Sequence, residues 1–123
     1  MNSFTNQDAN LLNYEEYADL INRMKMNIEL YLTKEFKELN KLYTLNIIKI
    51  KREMEAKIKN LNNAQKMELI EQIGYNIIYY EISEQESANK YEQKLNNCLI
   101  KYLSNLQNLI KNNILKNYKN YKN

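Results

Sequence analysis

Apolar positions recur at helical spacing through most of this chain. Ile28, Leu32, Phe36, Leu39, Tyr43, Ile47, Ile50, Met54, Ile58 and Leu61 follow one another at intervals of 4, 4, 3, 4, 4, 3, 4, 4 and 3. That rhythm is an eleven-residue repeat, about 3.67 residues per turn, so the stripe runs almost straight along a helix. It favours straight or slightly right-handed pairing over the left-handed heptad kind. Tyr31, Leu42 and Leu45 fall off the stripe, which makes the stretch from 30 to 48 apolar on two sides. Such a helix wants two neighbours, and at least three helices are expected to meet there.

The boundaries come from capping signals. Asn13 and Glu16 have capping-box spacing, and Leu12 and Tyr17 occupy the two positions of a hydrophobic staple. No breaker then appears before Asn60-Leu61-Asn62-Asn63, which predicts one helix over about 13–60, roughly 70 Å long at 1.5 Å per residue. Residues 1–12 are left as a flexible arm. Asn62 and Gln65 repeat the capping-box spacing after a turn at about 61–63. A second helical stretch follows over about 64–118, either continuous or broken near Gly74 or Ser83. Its later part recovers the eleven-residue rhythm at Leu95, Leu99, Leu103, Leu106, Ile110 and Ile114. Residues 119–123 are expected to be a frayed basic tail.

The fold expected is therefore all-α, a long antiparallel helical hairpin or coiled-coil-like bundle. Charge favours it, because residues 1–22 hold four acids and no base while residues 93–123 hold six lysines and no acid. The hairpin has a defect, however. Folding at Asn62-Asn63 sets Leu32, Phe36 and Leu39 opposite the polar Gln93, Asn89 and Glu86. The missing apolar surface is then expected from another helical protein or a second copy, docking on Ile28, Leu32, Phe36, Leu39, Tyr43 and Ile47. Tyr31, Tyr43, Tyr79 and Tyr80 are further interface candidates, since tyrosine suits surfaces with one edge buried and the hydroxyl wet.

Composition narrows the chemistry. With one Gly and no Pro in 123 residues, the turns of a sandwich, barrel or doubly wound sheet have little to be built from. The absence of His and the single Cys98 exclude the usual zinc sites, Ser-His-Asp and Cys-His arrangements, and Glu-x-x-His di-iron sites. One Gly cannot make a phosphate-cradling loop. Carboxylate pairs at Glu35 and Glu38, Glu68 and Glu71, and Glu81 and Glu84 lack the pocket that would tune one of them for acid/base work. No enzyme, cofactor or metal is expected. Asp19 with Arg23, Glu53 with Lys57, Glu55 with Lys59 and Glu86 with Lys90 are spaced as i,i+4 pairs on solvated helix faces.

The longest uninterrupted apolar run, Ile77-Ile78-Tyr79-Tyr80, is far short of the roughly 18 residues of a membrane span. Met1 to Asn10 has neither a basic nor an apolar segment, so no secretory or transit signal is read and an intracellular, soluble protein is expected. Asn, Lys, Ile and Tyr, all with codons rich in A and T, supply 63 of the 123 residues, pointing to an AT-rich genome. That bias weakens the alternative reading, a nucleic-acid-binding module using Lys49, Lys51, Arg52, Lys116, Lys119 and Lys122 on phosphates, with tyrosines of the tail stacking on bases. The leading expectation is a non-enzymatic helical assembly or scaffold subunit.

Overall fold

In a computed structural model the chain is all-α, with the backbone described over residues 12–33 and 40–122 and side chains over 12–32 and 41–118. The described residues form α1 (Tyr14–Thr33), α2 (Asn40–Lys59), α3 (Asn63–Glu86) and α4 (Lys90–Lys122). The chain divides into two compact units, one ending at Leu61 and one starting at Asn62. α1 packs on α2 in the first, and α3 packs on α4 in the second.

In the first unit, Asn13 Oδ1 accepts from the Glu16 amide at 2.8 Å, and Leu12 and Tyr17 are buried as a staple. The expected single helix over 13–60 is not what forms. Asn46 Nδ2 donates to Asn27 Oδ1 at 3.1 Å, Arg23 meets Glu53 at 3.4 Å, and Lys57 Nζ donates to Glu16 Oε2 at 2.6 Å. As the partner number rises from 46 to 57, the α1 number falls from 27 to 16, so α1 and α2 run antiparallel. A continuous rod would leave its stripe in water, whereas the hairpin buries Leu20, Ile21, Met24 and Ile28 from α1 with Ile50, Met54 and Ile58 from α2. At about 25 cal/mol per Å² of apolar surface, that burial favours the hairpin over a single rod. Two expected i,i+4 partners, Glu53 and Lys57, instead reach across to the other helix.

Two of the acids near the N-terminus have partners within this unit: Glu16 Oε2 accepts from Lys57 Nζ, and Asp19 lies 3.8 Å from Arg23. The arm expected over residues 1–12 lies outside the described residues except for Leu12.

The second unit opens with a complete capping box. Asn62 Oδ1 accepts from the Gln65 amide and Gln65 Oε1 accepts from the Asn62 amide, both at 2.8 Å. Neither Gly74 nor Ser83 breaks the helix. Gly74 lies inside α3, where an added Cβ would make ordinary contact with the Gln107 side chain at 3.5 Å. The break comes at residues 87–89, because side chains there satisfy the backbone that the helix ends expose. The Ser87 amide donates to the Ser83 carbonyl at 3.1 Å, Asn89 Oδ1 accepts from the Tyr91 amide at 2.8 Å, and Gln93 Nε2 donates to the Ser87 carbonyl at 2.7 Å. Lys66 Nζ donates to Asn113 Oδ1 at 2.7 Å and Gln107 Nε2 to the Ile70 carbonyl at 3.0 Å, which fixes α3 and α4 as antiparallel. Leu69, Ile73 and Tyr80 of α3 and Leu95, Leu99, Leu103, Leu106 and Ile110 of α4 are buried. The tail expected to fray from residue 119 is helical to Lys122.

The fold-back of the first unit can be measured with spin labels at Asn27→Cys and Asn46→Cys in a Cys98→Ser background. A single rod separates these positions by about 28 Å, while packed helices bring their axes to about 8–10 Å. Strong dipolar broadening is expected; sharp, non-interacting spectra would contradict the hairpin.

Candidate functional site

The six stripe residues expected to bind a partner divide into two groups. Ile28 is buried, and Leu32, Tyr43 and Ile47 are half-buried. The antiparallel register carries Ile28 towards the level of Ile47 and Leu32 towards that of Tyr43. Phe36 and Leu39, with the carboxylate pair Glu35 and Glu38, lie outside the described residues. The second apolar side remains uncovered: Tyr31, Leu42 and Leu45 are exposed.

The basic residues of α2 do not form one row. Lys49, Lys51, Arg52 and Lys116 are exposed, but at about 100° per residue Lys51 points roughly 160° away from Lys49 around α2. Lys49 and Arg52 share a face. The side chains of Lys119 and Lys122 lie outside the described residues. Cys98 is half-buried, beside Asn97, Lys101 and Ser104 in a shallow depression along α4. Among the described residues, no group of three or more Cys, Asp or Glu side chains is placed to hold a metal ion, and no helix is long and apolar enough to cross a membrane.

The feature that stands out is the outer side of α3. Tyr75, Ile78, Tyr79 and Ile82 are 60%, 56%, 63% and 50% exposed. Their spacing of 3, 1 and 3 places them on one face of the helix, on the side away from Leu69, Ile73 and Tyr80. α3 is therefore apolar on two opposite sides, and α4 covers only one of them. The run Ile77-Ile78-Tyr79-Tyr80 carried this signal in the sequence, since four consecutive apolar residues on a helix must reach more than one face. Its shortness as a membrane span was only half of its meaning.

Acids frame the exposed row. Glu68, Glu71 and Glu86 fall on the same face at about 100° per residue, in a stretch between Met67 and Asn89 without a basic residue. The Tyr75 hydroxyl donates to Glu71 Oε1 at 3.0 Å. That bond, and then the carboxylate charge, raise the Tyr75 pKa above the ordinary tyrosine value. The Tyr79 and Tyr80 rings meet edge to face at 5.3 Å and 77°, joining the exposed row to the buried side. Tyr80 is also raised, by burial first and by its neighbour Tyr79 second.

Comparison with protein-family models, curated proteins and solved structures finds no match for this chain.

The Tyr80 shift predicts a stability change with pH. Folding favours the neutral phenol, so this contribution is complete below the unfolded tyrosine value of about 10 and is lost as pH rises through the higher folded value. Denaturation of Tyr80→Phe across pH 9 to 11.5 should show a shallower alkaline decline than the parent chain. Identical slopes would remove Tyr80 as a cause.

Proposed function

We propose that this chain is a non-enzymatic helical assembly subunit, a scaffold element that packs against another helix through the outer face of α3. The observation that carries this reading is the row Tyr75, Ile78, Tyr79 and Ile82, large side chains left exposed beside a core that α3 has already formed with α4. A helix needing only α4 would be polar on that side. A contiguous row of this kind on a folded surface marks an interaction site more often than scattered apolar residues do. Two tyrosines suit it further, because they bury ring area at low entropic cost and keep a hydroxyl for polar contacts.

The reading moves the interface from where the sequence pattern suggested. Ile28, Leu32, Tyr43 and Ile47 are drawn into the first hairpin, while the α3 face has no cover from its own pair. Nucleic-acid binding has less support, because Lys51 points away from Lys49 and Arg52, which divides the basic residues of α2 between two faces.

The reading is tested by Ile78→Glu, which places a charge in the row without touching the α3–α4 core. In extracts of cells making the full-length chain, the parent should elute in a complex larger than its 14.9 kDa mass. Ile78→Glu should elute near the monomer with unchanged helix content. A parent chain that elutes as a monomer, or a complex indifferent to the substitution, would overturn the proposal.

A further inference from the structure

We infer that the occupant of the α3 face is a second copy of this chain, which presents the outer face of its α2. This inference rests on the assembly reading above and specifies the partner. The outer side of α2 carries Leu42, Leu45 and Ile48, respectively 49%, 62% and 39% exposed. Lys41, Lys49 and Arg52 lie on the same side, also exposed. At about 100° per residue all six fall within roughly 120° of arc, opposite the buried Ile50, Met54 and Ile58. Residues 41–52 contain no acid.

The two faces are alike in apolar length and opposite in charge. On α2, Lys41 and Arg52 bracket an apolar centre; on α3, Glu71 and Glu86 bracket the row from Tyr75 to Ile82, and both glutamates are exposed. The apolar centres are of similar length, about 9 Å from Leu42 to Ile48 and about 10 Å from Tyr75 to Ile82. Cations stand at both ends of one face and anions at both ends of the other. Hydrogen bonding to Tyr75 does not exhaust Glu71, whose carboxylate has further acceptor positions.

Charge also decides which faces meet. Two α3 faces brought together would set glutamates against glutamates, and two α2 faces would set cations against cations; like charges across an interface disfavour the wrong pairing. α2 of one molecule against α3 of another matches the apolar centres and sets opposite charges around them. Such a contact joins different surfaces, so it either closes as a two-fold pair or continues as a chain of molecules. Both raise the solution mass.

The experiment is sedimentation equilibrium of the purified full-length chain over a wide concentration range, with two charge-swapped variants. The parent should associate reversibly above the monomer mass. Glu71→Lys with Glu86→Lys makes both faces basic, and Lys41→Glu, Lys49→Glu and Arg52→Glu together make both acidic. Each variant alone should associate at least about tenfold more weakly. Mixed in equal amounts, they restore opposite charges across the contact and should recover association. The neutral pair Glu71→Gln with Glu86→Gln should give an intermediate loss, and circular dichroism should show parental helix content in all variants.

A parent chain that stays monomeric would overturn this inference and leave the assembly reading standing, with a different protein as the partner if the extract complex persists. Association that survives either swap, or a mixture that fails to recover while both variants remain folded, would overturn the pairing of α2 with α3.

Discussion

An amphipathic helix cannot bury its own apolar stripe, and the organisation of this protein follows from how each stripe finds cover. Burial at about 25 cal/mol per Å² exceeds the few tenths of a kcal/mol that separate good helix formers from poor ones. In the first unit the stripe that looked continuous is divided between α1 and α2 and folded onto itself. In the second, α3 and α4 do the same around Leu69, Ile73, Leu99, Leu103 and Ile110. The surface that remains apolar is then the part that neither pairing uses.

Much of this was legible in the sequence. The caps at Asn13 and Asn62, the staple of Leu12 and Tyr17, the turn before Asn63 and the rhythm of Leu95 to Ile110 all depend on local spacing and local hydrogen bonds. The fold-back between α1 and α2 was not legible, because Lys34-Glu35-Phe36-Lys37-Glu38-Leu39 holds neither Gly nor Pro and continues the apolar rhythm. Its cause is long-range, in the burial of Leu20, Met24 and Ile28 with Ile50, Met54 and Ile58, whose register the pairs of Arg23 with Glu53 and Glu16 with Lys57 mark. Spacing had assigned Glu53 and Lys57 to each other. The break at residues 87–89 fell outside the alternatives of a continuous helix or a break near Gly74 or Ser83, because Ser87 and Asn89 are the residues whose side chains satisfy the exposed backbone.

The candidate site was partly visible for the opposite reason. Tyr79 stood out as an interface residue by type, yet its place in a row with Tyr75, Ile78 and Ile82 depends on which side of α3 faces α4. A two-sided helix gives a weak periodic signal, since each apolar face fills the polar gap of the other. Only the burial of Leu69, Ile73 and Tyr80 separates the two. The same separation gives meaning to charge, as Glu71 and Glu86 frame the uncovered side of α3 and cations frame the uncovered side of α2.

The central claim, that the outer face of α3 is covered by a second copy of this chain, can be tested at the contact itself. A photoreactive p-benzoylphenylalanine replaces Ile78, and isotopically labelled and unlabelled purified chains are mixed, irradiated and digested for mass spectrometry. The account predicts mixed-label adducts joining position 78 of one molecule to residues 41–52 of another. Irradiation that yields no adduct between molecules would contradict it.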